Sequence, residues 1–537
     1  MKASQVAFFL CAVFPTSAMG EYIHVCYYTN WAQYRSGSFK FVPENIDPTI
    51  CTHINYGFAK IDASFNVLPF EWNDESTEYS KGMYERVSDL KCQNTNLKIL
   101  LSLGGWNFND CAGAGSVTCS YFSEAVRTSE NRQIFISNVI AFLRENNFDG
   151  IDIDWEYPVV AGHNDATAET PNDKQNLVRL VSEFRFAFLS EGTSTGRDRL
   201  LVTAAVGIGN SVVASAYDVP SLCHETTGYD WINLMTYDFH GSWETVSGHH
   251  AALYSTSEDE TQYGYPISVS WALQNWLDLG CTGQKLTLGI ATYGHSFTLE
   301  NSINHDFLVG VSGPGAQGSG TSSPGTLAYS EVMLAIEQGT LTEIFDEDRG
   351  VPYAHDGQGF WVGYDNPRSV GLKCDLIKSK QLLGAMNWAL DLDIFQNMEY
   401  PLLNRIATDL NIAYGVPVTD CGLAAVSNAP TISRAPTTIR SETSFQETCT
   451  SSDSRVTNAW CTGAKGCSPN SPYSEFCETT SGESGPSPIA IIFAVIGSLC
   501  GAGLLGSFIC IKCKKGNKES YKKETITAPR FYIKSTF

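Results

Sequence analysis

The chain has little positive charge for its size. Its 537 residues include 35 Lys and Arg against 57 Asp and Glu, a formal net charge of -22. Binding a nucleic-acid backbone requires clustered Lys and Arg, and the bulk of the chain has no such stripe, so we expect no nucleic-acid partner. The sequence also lacks any Asn-x-Ser/Thr sequon, so we expect no N-glycosylation.

The composition is that of a large folded protein. Aromatic residues make up 12% of the chain, which argues against extensive disorder. A length of 537 residues exceeds that of one minimal domain, so we expect a large core with appendages.

The N-terminus has the layout of a secretory signal. Lys2 precedes an apolar run over residues 6–14, and the small residues Ala18 and Gly20 follow. This pattern predicts a signal peptide over residues 1–20, cleaved near Glu21, because the run is too short to span a bilayer.

A second apolar run lies near the C-terminus. Residues 489–511 contain no charge and are long enough to cross a bilayer as a helix, although a buried core helix is the alternative. Three lysines follow at 512, 514 and 515, and positive charge marks the cytoplasmic side. We therefore predict a single-pass type I protein of the cell membrane, with residues 512–537 as a basic cytoplasmic tail.

The region outside the membrane divides into three parts. Residues 21–421 carry regular patterns of strands and helices, whereas 422–448 is rich in Ser, Thr, Ala and Pro without an apolar period, which indicates a linker. Residues 449–477 hold four cysteines around Trp460, and this spacing predicts a small disulfide-bonded module.

Eight candidate strands alternate with helical patterns in the first part. They are residues 23–28, 53–59, 97–104, 150–156, 201–206, 231–237, 285–292 and 383–388. Eight alternating units predict an α/β fold, the (β/α)8 TIM barrel. The longest gap lies between the seventh and eighth strands, and we expect an α+β insertion there over about residues 295–380.

The fourth candidate strand carries a row of acids. Because side chains alternate along a strand, Asp152, Asp154 and Glu156 lie on one face and apolar side chains on the other. The apolar face packs against helices, so the acids face the barrel interior, with Glu156 nearest the C-terminal mouth where barrel active sites lie. A solvated edge strand is the alternative, but a closed barrel has no edge.

Charge repulsion along this row has a chemical consequence. Neighbouring acids lie about 6.6 Å apart, and two charges at that distance repel by about 2.5 kcal/mol, roughly two pKa units, at an effective dielectric constant of ~20. We therefore expect a proton to be shared along the row, which leaves Glu156 able to act as a general acid.

The run Asp149-Gly150-Ile151-Asp152-Ile153-Asp154-Trp155-Glu156 resembles the signature of glycoside hydrolase family 18, which contains chitinases and non-catalytic lectins. The resemblance extends over most of residues 22–411, through motifs at 26–31, 71–75, 102–106, 235–243, 293–294 and 386–388.

The resemblance implies a mechanism. Glu156 would protonate the glycosidic oxygen, and the N-acetyl carbonyl of the substrate, not a second carboxylate, would attack the anomeric carbon. Asp154 would orient the acetamide, Asp152 would share its proton, and Tyr237 would hydrogen-bond the attacking group. Asp149 faces the other way and is interpreted as structural. No cofactor and no metal are implied.

The resemblance also implies a sugar-binding cleft with aromatic platforms. The expected substrate-binding residues are Tyr27, Trp31, Glu71, Trp72, Gly104, Gly105, Trp106, Asn107, Tyr157, Met235, Asp238, Trp243, Tyr293, Met386 and Trp388. For a lone Trp, core packing is the alternative, and the same holds for Met. His295 stands where many family members have Arg, and Ala291 where many have Pro, which affects the expected shape of the pocket.

Cysteines give a further set of expectations. Cys26 with Cys51 resembles a disulfide of the family. Cys111 and Cys119 bracket a short Gly-rich loop and are candidates for pairing, whereas Cys374 lacks the upstream partner that many relatives have. The spacing of the 449–477 module does not match the six-cysteine chitin-binding pattern, so chitin binding and a simple stalk both remain open for it.

The resemblance predicts a chitinase that cleaves β-1,4-linked N-acetylglucosamine polymers internally, and the uncharged run 489–511 predicts that it is membrane-anchored. The alternative is a cell-surface lectin that binds chitin without cleaving it. The intact Glu156 favours the enzyme, because lectin-like relatives commonly lack that carboxylate. A third hypothesis, adhesion with signalling through the basic tail, has only the topology in its favour.

Overall fold

The computed structural model describes residues 21–109, 118–159 and 170–412. The predicted signal peptide, linker, Cys-rich module, membrane segment 489–511 and basic tail all lie outside these residues. Within the described part of the chain, no helix combines the length and apolar character needed to cross a membrane.

The described residues contain fifteen strands and eleven α-helices. In chain order, the strands are β1 Ile23–Thr29, β2 His53–Ile61, β3 Val67–Pro69, β4 Lys98–Gly104, β5 Gly150–Asp154, β6 Leu201–Val206, β7 Ile232–Leu234, β8 Leu286–Ala291, β9 Tyr293–Leu299, β10 Val311–Pro314, β11 Thr326–Ala328, β12 Thr342–Asp346, β13 Val351–His355, β14 Phe360–Gly363 and β15 Gly384–Trp388. The helices are α1 Met83–Ser88, α2 Tyr121–Arg127, α3 Ser129–Glu145, α4 Asp173–Thr195, α5 Asn210–Ala216, α6 Val219–Leu222, α7 Ser257–Tyr263, α8 Val269–Asp278, α9 Tyr329–Glu337, α10 Pro367–Ser379 and α11 Pro401–Asp409.

Eight of the strands form a closed parallel barrel. The order is β1, β15, β8, β7, β6, β5, β4 and β2, and β1 also pairs with β2, which closes the ring. All eight pairings are parallel. This confirms the predicted barrel, and each of its strands overlaps one of the eight candidate strands.

Two barrel strands end two or three residues earlier than the sequence pattern indicates. The strand β5 ends at Asp154 and β7 at Leu234, so Glu156 and Tyr237 lie beyond the strand ends. At the barrel mouth the backbone leaves the ladder. The amide of Glu156, for example, donates to the side chain of Asn109 at 3.2 Å and not to a neighbouring strand.

The core between barrel and helices is formed by the outward faces of the strands. Ile151 and Ile153 of β5 are buried there, and Trp155 stacks on Phe122 of α2 with ring centroids 5.3 Å apart. The helix α3 buries a stripe that includes Phe135 on the same layer. Alternation in β5 therefore directs its apolar residues outward, as the sequence predicts.

A second, antiparallel sheet lies between β8 and β15 in the chain. Its strands follow the order β10, β9, β14, β13 and β12, and β11 also pairs with β9. Phe297, Tyr353 and Trp361 form its small core. Helix α10 contacts β8, β15 and α11 of the barrel and also β13 of this sheet. The strands between β8 and β15 run from β9 to β14.

Two disulfides join parts of the barrel. Cys26 is bonded to Cys51, as the family resemblance implies, and Cys223 is bonded to Cys281, which the sequence patterns did not indicate. Cys119 is disulfide-bonded, whereas Cys111 lies outside the described residues. Cys374 is buried and forms no disulfide within the described part of the chain.

Candidate active site

Asp152 lies in the middle of the barrel, where four other strands supply hydrogen-bond donors to it. The hydroxyls of Tyr27, Ser102 and Thr203 donate to its carboxylate at 2.6, 2.9 and 2.6 Å, and the amide of Asn233 donates at 3.2 Å. These donors come from β1, β4, β6 and β7. The carboxyl of Asp152 therefore points into the barrel interior, as predicted.

The surroundings of Asp152 favour its protonated form. The residue is fully buried, and this burial raises the pKa of its carboxyl above the ordinary value, while the four hydrogen bonds oppose the rise. The direction of this shift is the one that proton sharing along the acid row requires, and the sharing itself stays a prediction.

Asp154 and Glu156 follow Asp152 toward the barrel mouth, where they line a cavity of about 330 Å³. Asp154 is 3% exposed and Glu156 is 7% exposed, so the two carboxyls are shielded from bulk water yet reach the cavity. Such shielding strengthens electrostatic interactions with a bound substrate. The row therefore lies in the arrangement that its period of two predicts.

Two glycines allow the end of β4 to approach the acid row closely. Gly104 and Gly105 have φ angles of +112° and +83°, and the amide of Gly105 donates to the carbonyl of Asp154 at 2.8 Å. A Cβ at Gly104 would lie 2.4 Å from that same carbonyl oxygen. Any side chain at Gly104 would push β4 away from Asp154, so this position requires glycine.

Aromatic side chains form one wall of the cavity. The ring of Trp388 lies 5.2 Å from Tyr27, 6.2 Å from Trp31 and 5.7 Å from Phe58, and all four line the cavity. Trp106 lines it as well, and its ring contacts Tyr157 edge to face. The apolar faces of these rings can stack against the C–H faces of a sugar.

Polar groups on the side of the second sheet complete the cavity. Asp238 has a φ of +58° and accepts a hydrogen bond from the Tyr293 hydroxyl at 2.5 Å, and the same carboxylate oxygen lies 2.8 Å from His295 Nε2. Buried next to them, His250 has its pKa lowered to about 4, mainly because burial disfavours the charged ring. His250 is therefore neutral at pH 7.

Tyr237 projects into the same cavity. It is buried, and burial raises the pKa of its hydroxyl well above the ordinary value, with nearby carboxyls including Asp238 adding to the rise. The hydroxyl is therefore protonated at neutral pH and available as a hydrogen-bond donor. Its nearest hydrogen-bond contact is the sulfur of Met386 at 3.7 Å.

Most of the predicted site residues meet at this cavity. Those that line it are Glu156, Asp154, Tyr237, Tyr27, Trp31, Gly104, Gly105, Trp106, Asn107, Met235, Asp238, Tyr293 and Trp388. Asp152 lies below it, within the barrel.

Five predicted substrate-binding residues do not line the cavity. Met386 is fully buried in the barrel core. Tyr157 is half-buried and packs against Gly207. The ring of Trp243 packs edge to face against His295, 5.5 Å away. Glu71 and Trp72 hydrogen-bond Tyr34 at the protein surface, where Trp72 is 82% exposed. These five therefore do not line the cavity beside the acid row, and their contact with a sugar chain stays a prediction.

The cavity also contains residues that the sequence patterns did not single out. They are Phe58, Phe70, Phe108 and Ala205. Phe58 lies in the second half of β2, and Ala205 lies near the end of β6. A position near the C-terminal end of a barrel strand was the one sequence signal that could have identified them as cavity residues. Ala205 offered no chemical signal at all.

Comparison with known proteins identifies the family of this chain. Residues 23–393 match the family model described as glycosyl hydrolases family 18. The chain is 36% identical over 414 residues to an endochitinase of Brugia malayi, covering 76% of this chain and 77% of the relative.

Solved structures show the same fold. An immunomodulatory active chitinase from Trichuris suis superposes with a TM-score of 0.65 at 35% identity, covering 73% of this chain and all of that one. Human YKL-39, described as a pseudo-chitinase with retained chitooligosaccharide binding, gives 0.63 at 35% identity over the same shares. The family match spans well over half of the chain and includes the whole acid row. The chain therefore belongs to glycosyl hydrolase family 18, among its chitinases.

Proposed function

We propose that this chain cleaves β-1,4-linked N-acetylglucosamine polymers at internal bonds, with retention of configuration, through attack by the substrate's own acetamide. The observation that carries this proposal is the position of Glu156, a shielded carboxyl at the cavity floor above two further buried acids. A general acid needs both a proton and reach to the leaving oxygen, and this position supports both.

Glu156 donates its proton to the glycosidic oxygen in the first step, and the bond to the anomeric carbon breaks. The acetamide carbonyl of the same sugar attacks that carbon and forms a cyclic cationic intermediate, so no second carboxylate serves as nucleophile. Glu156 then takes a proton from a water molecule, which attacks the anomeric carbon and opens the cyclic intermediate. This proton restores the acid form of Glu156. Glu156 thus acts as acid and as base in turn.

Asp154 and Tyr237 hold the acetamide for this attack. The carboxylate of Asp154 hydrogen-bonds the acetamide N–H and stabilises the positive charge that develops on the ring. The Tyr237 hydroxyl, which is a protonated donor at neutral pH, hydrogen-bonds the acetamide oxygen. Asp152, with its raised pKa, supplies or accepts the proton that Asp154 shares.

The aromatic wall supports binding of a sugar chain. Trp388 lies at the centre of a cluster with Tyr27, Trp31 and Phe58, and we place it beneath the sugar that is cleaved. Trp106 offers a second platform on the same cavity. Two aromatic platforms on one cavity suit a chain of several sugars, which favours internal cleavage.

The second candidate is a lectin that binds chitooligosaccharides without cleaving them. It is favoured by the similarity to YKL-39, which equals the similarity to the active Trichuris suis chitinase within 0.02 in TM-score. Because overall similarity does not separate the two, the decision rests on the chemistry of Glu156.

The test is incubation of the full-length protein, purified in mild detergent, with N-acetylglucosamine hexamer. We expect dimer, trimer and tetramer as the first products, with the β-anomer detected first by NMR, because retention is the signature of this mechanism. Glu156→Gln should lower the rate by about 10²–10⁴-fold while oligomer binding persists. Binding without products in the wild-type protein would establish the lectin instead, and release of monomer alone would exclude internal cleavage.

We also propose that the enzyme is anchored in the cell membrane through residues 489–511, with the barrel outside the cell. The proposal rests on the predicted signal peptide, the uncharged run and the lysines that follow it. Protease added to intact cells should remove the barrel and leave the basic tail protected. Complete protection of the barrel would place it inside the cell.

A further inference from the structure

Three potential ligand groups converge at the cavity wall, beside the acid row and distinct from it. The carboxylate of Asp238, Nδ1 of His250 and Nε2 of His295 all lie within 4.8 Å of one another. His250 and His295 are buried, and Asp238 is partly exposed to the cavity. None of the catalytic roles proposed above uses His250 or His295.

Both ring nitrogens of His295 lie near oxygen atoms. Its Nδ1 lies 3.2 Å from the carbonyl oxygen of Gly325 and 3.4 Å from the Thr326 hydroxyl, and its Nε2 lies 2.8 Å from the Asp238 carboxylate oxygen. A neutral ring whose Nδ1–H donates to the Gly325 carbonyl presents its Nε2 lone pair to Asp238. In that tautomer two acceptors face each other, and a cation between them would remove the repulsion.

The tautomer of His250 is set by a backbone carbonyl. Its Nε2 lies 3.1 Å from the carbonyl oxygen of Tyr293 and donates to it, so the lone pair of the neutral ring is on Nδ1. This Nδ1 is buried, lies 3.7 Å from the Asp238 carboxylate oxygen and accepts no hydrogen bond from the described residues. A buried acceptor without a donor lowers the stability of the folded protein, and a bound cation would remove this loss.

We propose that Asp238, His250 and His295 form a binding site for a zinc ion. A proton on His295 would satisfy Asp238 and His295 but would leave His250 Nδ1 without a partner, whereas one cation satisfies all three groups. Two imidazoles and a carboxylate are typical zinc ligands, with a fourth position left for water. The carbonyls of Gly325 and Tyr293 face the ring nitrogens that would not bind zinc. Hydrogen bonds of this kind commonly orient metal-binding histidines.

The ligand atoms lie near the spacing that zinc requires. Ligand atoms bound to one tetrahedral zinc ion at 2.0–2.1 Å lie about 3.3 Å apart. The distances of 2.8 and 3.7 Å from Asp238 to the two rings bracket that value. The two ring nitrogens lie within 4.8 Å of each other, so zinc binding requires them to approach by at most about 1.5 Å.

Zinc in this position would affect the sugar site. Asp238 and His295 both line the cavity, and the Tyr293 hydroxyl donates to the same oxygen of Asp238 that the metal would bind. We therefore expect zinc to inhibit oligosaccharide cleavage. This consequence rests on the proposed function, but zinc binding itself does not.

The test is calorimetric titration of ZnCl2 into the full-length protein after treatment with a chelator, without sugar present. The informative variant is His250→Gln, whose amide can still donate to the Tyr293 carbonyl but which has no acceptor at the Nδ1 position. The matched control is His249→Gln. Both ring nitrogens of His249 are already bonded, Nε2 to the Tyr364 carbonyl and Nδ1 to the Ala251 amide, so it is not a ligand.

We expect one wild-type zinc site whose affinity falls at least about tenfold in His250→Gln and is retained in His249→Gln. Zinc should also raise the melting temperature of the wild type and of His249→Gln, but not that of His250→Gln. A cooperative melting transition of His250→Gln in the same experiment shows that this variant is folded. Cobalt should give visible absorption bands of a four-coordinate ion in the wild type that are lost in His250→Gln.

Two results would overturn the proposal. One is absence of zinc binding to the wild type. The other is equal zinc binding by wild type and His250→Gln, which would place the metal elsewhere, for example in the cysteine-rich segment. Hydrolysis measured without zinc separates this outcome from failure of the proposed function.

Discussion

The hydroxyl of Tyr27 on β1 lies 2.6 Å from a carboxylate oxygen of Asp152 on β5, inside the barrel. The residues are 125 positions apart in the chain, and both are buried. This bond connects the aromatic wall, to which Tyr27 belongs, with the base of the acid row. In the proposed mechanism, sugar binding and proton storage therefore share a residue.

Tyr27→Phe should destabilise the fold and shift the titration of the acid row. Loss of one of the four donors to a buried carboxyl should lower the free energy of unfolding by about 1–3 kcal/mol. The Tyr27 hydroxyl also lowers the pKa of Asp152, so its loss should raise that pKa further and move the pH profile of kcat to higher pH.

The control for this change is Tyr28→Phe, measured by the same urea titration. The Tyr28 hydroxyl is also buried, but its nearest hydrogen-bond contact is the sulfur of Met83 at 4.0 Å. Its removal should cost clearly less than the removal of the Tyr27 hydroxyl. If the free energy of unfolding fell equally in the two variants, the hydrogen bond to Asp152 would contribute no more to stability than the contact of Tyr28 does.

Tyr237→Phe should lower kcat and leave the fold intact. The nearest hydrogen-bond contact of the hydroxyl is a thioether sulfur at 3.7 Å, so its loss should change the melting temperature little. Removal of one donor to the acetamide oxygen should lower kcat by about 10²-fold, with a smaller effect on KM, because the bond strengthens as charge develops. Steady-state kinetics with the tetramer measures both, and a kcat within twofold of the wild type would refute the assigned role.

Trp388→Ala should weaken substrate binding. Its half-buried ring lines the cavity, and the loss of stacking against a sugar should raise the Kd of an oligomer at least about tenfold, a difference of about 1.4 kcal/mol. Trp388→Phe, which keeps an aromatic face, should recover part of the affinity. Fluorescence titration in the Glu156→Gln background measures Kd without turnover. Unchanged affinity in Trp388→Ala would remove this ring from the binding site.

The proton on the buried carboxyl of Asp74 should stabilise the folded protein at low pH, so the free energy of unfolding should fall as pH rises. It is fully buried and accepts hydrogen bonds from Tyr56 and Asn30, and burial raises the pKa of its carboxyl from 3.8 to about 6. The folded protein thus holds this proton more tightly than the unfolded chain does. Its stabilising effect is complete below the ordinary pKa and is lost as pH rises to about 6.

The measurement compares wild type with Asp74→Asn, which cannot titrate at this position. A difference of about two pKa units corresponds to about 3 kcal/mol. The wild type should therefore lose about that much stability relative to the variant between pH 4 and pH 7, as measured by urea unfolding at each pH. A difference between the two proteins that stays constant over this range would contradict the raised pKa.

Much of the fold could be predicted from the sequence because its signals are local. Alternation over residues 150–156 sets which side chains share a face, and the apolar set of Ile151, Ile153 and Trp155 has to be buried against helices. Eight such strands with intervening helices are enough to predict the closed barrel. The resemblance to family 18 then identified most of the cavity wall.

Other features depend on contacts between distant residues that no local pattern reports. The bond between Cys223 and Cys281 joins positions 58 residues apart, and His250 meets Asp238 and His295 only because the second sheet starts beside the mouth of the barrel. Phe58 and Ala205 line the cavity because closure of the barrel brings the ends of β2 and β6 to the same mouth. Their residue types carry no chemistry that would mark them in the sequence.

The sequence by itself determined that Asp152, Asp154 and Glu156 share one face of a strand, because the alternation of side chains is a property of any extended chain. Only the tertiary structure decided what that face meets. Closure of the barrel brings Tyr27, Ser102, Thr203 and Asn233 from four strands to one carboxyl, and the burial that results raises its pKa. Register within a strand is local, whereas the dielectric surroundings of a side chain depend on every element packed around it.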